Sequence, residues 1–327
     1  MASAKKTLSE LAYYRTGGAC GKLYLPESID ELKSAVREIH SLSLPFFVLG
    51  GGTNSLVCDD PWPGAVIALA RMQGLRLLDS KDHKDRTTIF CEAGVDNSHF
   101  ARFAVAHGLT GAGWMYRLPG QMGGTVRMNA RCYGGEISQI VRRITCVDMN
   151  GHVVIHDDPS KVFHGYKDTS FMKTGEIVAA VEIELAPGDV KATQELMKFC
   201  EDDRVMKGQF LHPSCGCVFK NDYSVGVPSG MLLESAGVKG MRHGGAVVSP
   251  WHANFVFNEG ATSRDILEMT LKMREVVYQK FGVWLEYEME VLGQMPADLA
   301  GKITEVRQRK ADTPELDQLR QKFQKRM

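Results

Sequence analysis

The nine residues PSCGCVFKN, 213–221, set Cys215 and Cys217 around a glycine and follow them with Phe219, Lys220 and Asn221. Two thiols at this spacing can ligate a metal, exchange a disulfide, pack as small hydrophobes or handle a proton. Zinc asks for about four ligands at workable spacing. Here His212, Cys215 and Cys217 crowd into six residues, and no Cys-x-x-Cys pair exists to complete a site. A redox pair lacks the same motif. Cys215 therefore reads as a packed thiol and no metal is expected. Lys220 and Asn221 make the segment polar and able to meet a ligand.

Two glycine-rich loops stand upstream. In LGGGTNSLV, 49–57, Gly50, Gly51 and Gly52 offer backbone N–H groups without a Cβ in the way, beside the Thr53 hydroxyl and the Asn54 amide. Such a loop can cradle a pyrophosphate, or it can be a tight turn. It is no P-loop, because no Gly-Lys-Ser/Thr follows. The dinucleotide fingerprint also fails, since GAGWMY, 111–116, has tyrosine where the third glycine should stand. The second loop, RLPGQMGGTVRMNARCYGGE, 117–136, carries Pro119-Gly120, Gly123-Gly124 and Asn129. It is either a connection between packed elements or a second ligand loop. Two such loops on one domain favour a dinucleotide over a mononucleotide. In FHGYKDTSF, 163–171, Tyr166 and Lys167 add an aromatic and a cation, although a solvated lysine is the default reading.

The elements that must position these groups alternate along the chain. SIDELKSAVREIHSL, 28–42, predicts a helix, with Ser28 and Glu31 as a capping box and Ile29, Leu32, Val36 and Ile39 on one face. PFFVL, GAVIAL and TIFCEAG read as strands, and NSHFARFAVAHG as a helix. RRITCVDMNGHVVIHD, 142–157, reads as a hairpin about Asn150-Gly151. EIVAAVEIEL, 176–185, is a strand, and APGD, 186–189, marks the expected internal boundary. Helices follow at 191–205 and 262–282, the latter stopped by Gly282, and 283–293 alternates as a strand. The tail from 301 predicts an exposed helix or a disordered extension.

Of the 327 residues, 44% are hydrophobic and 24% charged, which suits an ordinary soluble chain with two or three cores. Lys+Arg and Asp+Glu both number 39, so no global field selects nucleic acid or a membrane surface. No apolar run reaches the roughly 18 residues of a membrane span. Neither a secretory signal nor a disulfide framework is legible, and a reducing cytoplasm is the expected setting.

Taken together, the motifs resemble the UDP-N-acetylenolpyruvoylglucosamine reductase (MurB) family in its shorter form. YYRTGG, 13–18, is similar to its opening block, and Gly50 to Asn54 to its Gly-Gly-Gly-Ser-Asn loop with threonine for serine. Pro119 to Ala130, Gly216 to Asn221, Gly244 to Phe255 and Phe281 to Glu288 match four further blocks in the family's order. The resemblance implies an α+β protein. An FAD-binding domain of the vanillyl-alcohol-oxidase (PCMH) type spans 1–187, in lobes of about 1–71 and 72–187. A substrate domain spans 188–293, with an extension over 294–327. It implies a flavoenzyme of peptidoglycan precursor synthesis, in which NADPH reduces FAD and the flavin passes a hydride to an enolpyruvyl ether. The resulting enolate is then protonated at its α-carbon.

Carried over residue by residue, Gly50, Gly51, Gly52, Thr53, Asn54, Pro119, Gly120, Gly123, Gly124 and Asn129 would hold FAD. Tyr166, Lys220 and Asn221 would hold the nucleotide-sugar, with Lys220 toward its phosphates. The family's catalytic glutamate falls on Glu288, its arginine on Lys167 and its serine on Cys217. Lysine keeps the charge but loses the bidentate fork, and cysteine keeps a transferable proton. Arg131 and Cys132 stand where the family has small residues. Enolate chemistry asks for such groups independently: a fixed cation against the developing charge and a positioned proton for the carbon. A flavin oxidase with another substrate and a catalytically retired flavin-binding module are the rival readings. No obligate protein partner is expected.

Overall fold

The computed structural model describes residues 7–78, 85–310 and 313–325. The chain divides into two compact units: Cys20–Gly51 with Pro63–Arg204, and Met1–Ala19 with Gly52–Trp62 and Val205–Met327.

In the unit Cys20–Gly51 with Pro63–Arg204, helix Ile29–Ser41 forms where the spacing predicts it, burying Leu32, Val36 and Ile39. Ser28 accepts from the N–H of Glu31 as expected. The carboxylate of Glu31, however, takes the N–H of Glu27 at 2.9 Å, so the cap is one residue wider than the box predicted. The helix follows strand Cys20–Tyr24 and leads into Phe46–Leu49, which pairs in parallel with Trp62–Ala68. A second, antiparallel sheet centres on Ile177–Pro187, flanked by Val141–Val147 on one side and Thr87–Glu92 on the other. The Asn150-Gly151 hairpin forms: Asp148 accepts from the N–H groups of Asn150 and His152, and Gly151 takes φ 77°. One core packs Leu32, Val36 and Ile39 with Ile67, Ile177 and Ala179; the other gathers Phe100, Trp114, Met122, Ile144 and Phe171.

The second unit is built on helix Ser263–Phe281, started by a Thr262/Asp265 capping box and ended by Gly282 at φ 69°. Its buried stripe, Ile266, Met269, Met273 and Val277, joins Val218, Phe219, Leu232 and Val256 in one core. An antiparallel sheet runs Arg242–His243, Ala246–Val248, Val256–Asn258. The expected strand over 283–293 keeps its ladder only at Glu290–Leu292, in parallel with Ser55–Val57.

The observed units cut the chain differently from the boundary expected at 187/188. Helix Val190–Met206 places Met197 in the core of the first unit, and Arg204 donates there to the carbonyl of Tyr116. The segments 1–19 and 52–62 belong with the C-terminal unit because their partners are distant in sequence. The buried Tyr14 hydroxyl donates to the carbonyl of Val256 at 2.6 Å, and Asn258 donates back to the carbonyl of Tyr14.

The tail also corrects the sequence reading. Helix Pro314–Gln324 buries Leu316 and Leu319 in the second unit's core. Arg307 lies 3.9 Å from the Trp284 ring centre and grips both oxygens of Glu275. The basic residues that suggested an exposed extension are thus partly spent on packing. Positions 311–312 and 326–327 lie outside the described residues.

Candidate functional site

Within the first unit, the start of one glycine loop, Gly50, approaches the other loop at Gln121. Strand Phe46–Leu49 delivers Gly50 at its end, and a Cβ built on Gly50 would find within 4 Å, among the described residues, only the side-chain oxygen of Gln121, 3.7 Å away. Gln121 precedes the short helix Met122–Arg127, whose first N–H groups are laced to the segment just past strand Thr87–Glu92: Met122 to the carbonyl of Val95 and Gly123 to that of Ala93. Asn97, fully buried, accepts from the Thr125 hydroxyl and donates its backbone N–H to the carbonyl of Gly120. Sequence reading passed over both Gln121 and Asn97. Gln121 had a signal, since it lies inside the Pro-Gly-x-x-Gly-Gly segment; Asn97 had none beyond a helix start.

The paired glycines divide into two kinds. Gly52, at φ 64°, would drive a Cβ to 2.8 Å from Ala12 Cα, and Gly123 would meet Ala93 Cβ at 2.8 Å. These two are required for close packing. Gly124 would meet nothing within 4 Å among the described residues, and neither Gly50 nor Gly124 has a positive φ. An open backbone at Gly50 and Gly124 is the kind of surface a flat or phosphorylated ligand uses. Gln121 Oε1 is moreover buried and has no hydrogen-bond partner among the described residues, as is Asn129 Oδ1. Buried acceptors left without a donor cost about 1–3 kcal/mol each, so both call for a donor that the described residues do not supply. The residues present fit a dinucleotide cofactor such as FAD.

Asn129, at φ 40°, connects this loop to the hairpin that carries Tyr166 and Lys167. Its amide donates to Glu136 at 2.6 Å and to the carbonyl of Gly165 at 3.0 Å. Thr169 adds a hydroxyl bond to the carbonyl of Arg127. Strands Phe163–Gly165 and Asp168–Thr169 leave Tyr166 and Lys167 as the two turn residues, with Lys167 at φ 55°. The turn thus offers both side chains at its tip. The Lys167 ammonium lies 5.9 Å from the Tyr166 ring centre, and its field acts on the neighbouring Cys132 thiol. Burial nonetheless pushes that thiol up, against the opposing charge and hydrogen bond of Arg204.

In the second unit, Cys217 and Glu288 are brought together by backbone pairing. Cys217 bridges Phe255, and the N–H of Val218 donates to the carbonyl of Asn254 at 2.9 Å. On the other side, the N–H of Glu288 donates to the carbonyl of Val218 at 2.8 Å. The buried amide of Asn254 clamps both polar groups of Phe219. Asn54, expected with the cofactor, donates its side-chain amide to the carbonyl of Glu288 at 2.9 Å. Cys217 and Glu288 are each half-buried, whereas Cys215 is buried in the core. Burial pushes the Cys215 thiol far up, and the nearby charges of Cys217 and Glu288 push it further. Cys215 is a packed, neutral thiol beside the polar pair.

Lys220 and Asn221 differ from their expected postures. The Lys220 ammonium pairs with Glu286 at 2.5 Å, and Asn221 accepts from the N–H of Ser229, where helix Ser229–Ala236 begins. The cation expected toward the substrate's phosphates is therefore partly neutralised by Glu286. His212 pairs with Glu259 at 3.5 Å instead of completing a thiol site. Among the described residues, one group of three metal-ligating side chains gathers, Cys146, His156 and Glu176, with ligand atoms within 4.8 Å. It lies in the first unit, where His156 and Glu176 already share a 2.6 Å hydrogen bond.

Comparison with known proteins decides the family. An FAD binding domain model matches residues 22–156, and the UDP-N-acetylenolpyruvoylglucosamine reductase, C-terminal domain model matches 208–292. The UDP-N-acetylenolpyruvoylglucosamine reductase of Borreliella burgdorferi is 32% identical over 292 residues, covering 88% of this chain and 93% of that protein. The chain belongs to the UDP-N-acetylenolpyruvoylglucosamine reductase family. The reductase of Anaeromyxobacter dehalogenans is 36% identical, over 88% of this chain and 84% of its own length. The crystal structure of the reductase (MurB) from Thermus caldophilus superposes with a TM-score of 0.72 at 30% identity, covering 88% of this chain and 97% of that one. The FAD-binding and C-terminal parts of the reductase fold agree with the α+β reading. No helix among the described residues is long and apolar enough to cross a membrane.

Proposed function

We propose that this chain reduces UDP-N-acetylglucosamine-enolpyruvate to UDP-N-acetylmuramate with a cysteine as the proton donor. Membership of the reductase family makes it an FAD-dependent, NADPH-oxidising enzyme of peptidoglycan precursor synthesis. When bound, FAD supplies the redox chemistry that passes NADPH's reducing equivalents to the enolpyruvyl double bond. Gly50, Gly124 and Gln121 are the groups of this chain suited to hold it, with Gly51, Gly52, Thr53, Asn54, Pro119, Gly120, Gly123 and Asn129 shaping or bracing the same loops.

The observation that carries the reading is the pairing of Cys217 and Glu288 on adjoining segments through Val218. Reduction at the methylene carbon leaves negative charge delocalised from the α-carbon onto the carboxylate. A carboxyl group at Glu288 and the cation of Lys167 would stabilise that charge. Cys217 would then give its thiol proton to the α-carbon, a transfer for which a thiol, ordinarily ionising near pH 8.5, is a stronger acid than a serine hydroxyl. Tyr166, Lys220 and Asn221 would engage the nucleotide-sugar, Lys220 by exchanging Glu286 for phosphate oxygens.

The test is NADPH oxidation by the purified holoenzyme with and without UDP-N-acetylglucosamine-enolpyruvate. Substrate-dependent oxidation with release of UDP-N-acetylmuramate is the expected result. Oxygen consumption with no response to the enolpyruvyl substrate would identify an oxidase instead.

A further inference from the structure

Tyr166 carries two cations from two different segments. The Arg131 guanidinium carbon lies 4.7 Å from the ring centre and the Lys167 ammonium 5.9 Å from the same centre. Lys167 is the ring's neighbour in the hairpin turn. Arg131 comes from strand Arg131–Cys132, where it pairs in register with Glu136. Its contact with the Glu136 carboxylate is loose, 3.9 Å, and its side chain is 37% exposed. The tighter bonds to the other oxygen of Glu136 come from Asn129 and Ser138. Asn129 also holds the carbonyl of Gly165, so one buried amide fixes the spacing between the strand bearing Arg131 and the turn bearing Lys167.

Two like charges gathered about one aromatic ring repel each other, and each cation–π contact returns only about 0.5–1 kcal/mol at an exposed site. An anion binding beside the ring relieves that repulsion. The two cations also divide the work of recognising a carboxylate. An ammonium is a point charge, whereas a guanidinium presents a planar fork that matches both carboxylate oxygens.

We infer that Arg131 is a substrate-carboxylate residue. It supplies beside Tyr166 the bidentate fork that Lys167 cannot, so the pair together hold the enolpyruvyl carboxylate through the reaction. This rests on the proposed role of the Lys167 turn, and the test separates the two.

Holoenzymes carrying Arg131→Ala, Arg131→Lys, Lys167→Ala and the exchange Arg131→Gly/Lys167→Arg are titrated with UDP-N-acetylglucosamine-enolpyruvate and with UDP-N-acetylglucosamine, which lacks the carboxylate. Arg131→Ala should weaken the enolpyruvyl compound about 10- to 100-fold, the range for losing a charged, forked hydrogen-bond pair. Affinity for UDP-N-acetylglucosamine and bound FAD should stay unchanged. Arg131→Lys should recover part of the loss, and the exchange should recover most of it. Equal weakening of both ligands, or no weakening of either, overturns the assignment. If Lys167→Ala is silent while Arg131→Ala keeps its carboxylate-selective loss, the Lys167 reading fails and Arg131 stands. The reverse pattern removes Arg131 and leaves Lys167.

Discussion

The side-chain amide of Asn54 donates to the backbone carbonyl of Glu288 at 2.9 Å, linking residues 234 positions apart. The return bond runs from the N–H of Glu290 to the carbonyl of Asn54. An asparagine read from sequence as a cofactor ligand therefore also fixes the segment that carries Glu288 into strand Glu290–Leu292. Asn54→Ala should lower stability by about 1 kcal/mol, the typical worth of one such bond, and reduce kcat through a displaced Glu288. Urea denaturation and steady-state rates on the same FAD-loaded preparation check this; unchanged kcat would detach Asn54 from the site.

The glycines make a sharper distinction. Gly124→Ala meets open space among the described residues and Gly50→Ala only an ordinary contact with Gln121, both at ordinary backbone angles, so both variants should fold with near-native melting temperature yet bind FAD at least tenfold more weakly. Gly52→Ala places a Cβ 2.8 Å from Ala12 at positive φ and should lose stability outright. FAD titration of the apoprotein, with circular dichroism as the folding control, reads both. Full FAD affinity in Gly50→Ala and Gly124→Ala would show that these loops are only connections.

His252 sets an acid limit on stability. Its ring stacks on Phe255 with centroids 4.2 Å apart, and burial together with the charges of Lys207 and Lys239 brings its pKa down to about 4. The unfolded chain would take up a proton near pH 6.5, which the folded chain refuses until about pH 4. Stability should therefore fall as pH drops from about 6.5 toward 4, by up to about 3 kcal/mol from this group. Above pH 6.5 the term is absent. Denaturation midpoints of wild type and His252→Gln across that window should diverge in slope; parallel curves would refute the assignment.

Lys167 should act on the reaction more than on folding, because it stands at the tip of a two-residue turn. Lys167→Ala is expected to lower kcat by about two orders of magnitude, as for loss of one preorganised partner of a developing oxyanion. Lys167→Arg should retain activity. An alanine variant with wild-type kcat would mark this side chain as a solvated lysine.

Much of the architecture was legible because it is local. The Ser28 cap, the Asn150-Gly151 hairpin and the Gly282 stop each depend on residues within a few positions. What escaped depends on distant partners. Nothing near Tyr14 signals that its hydroxyl will meet Val256, so the N-terminal segment's place in the C-terminal unit was hidden. The tail's basic composition pointed to solvent, while Leu316, Leu319 and the Arg307–Trp284 stack took it into the core. At the site, Cys217 stood out as one of two thiols, but its role, and Glu288 altogether, were nameable only through resemblance. Their pairing through Val218 is a property of the fold, and so is the diversion of Lys220 onto Glu286.

The assignment of Cys217 as proton donor is tested most directly by resolving the two half-reactions of Cys217→Ala in a stopped-flow spectrometer. NADPH should bleach the bound flavin at the wild-type rate. Reoxidation by UDP-N-acetylglucosamine-enolpyruvate should slow by at least about a hundredfold, the lower end of general-acid contributions. Cys217→Ser should restore turnover with an alkaline limit moved upward, since a hydroxyl keeps its proton where a thiol begins to lose it. Reoxidation of Cys217→Ala at the wild-type rate would contradict the account.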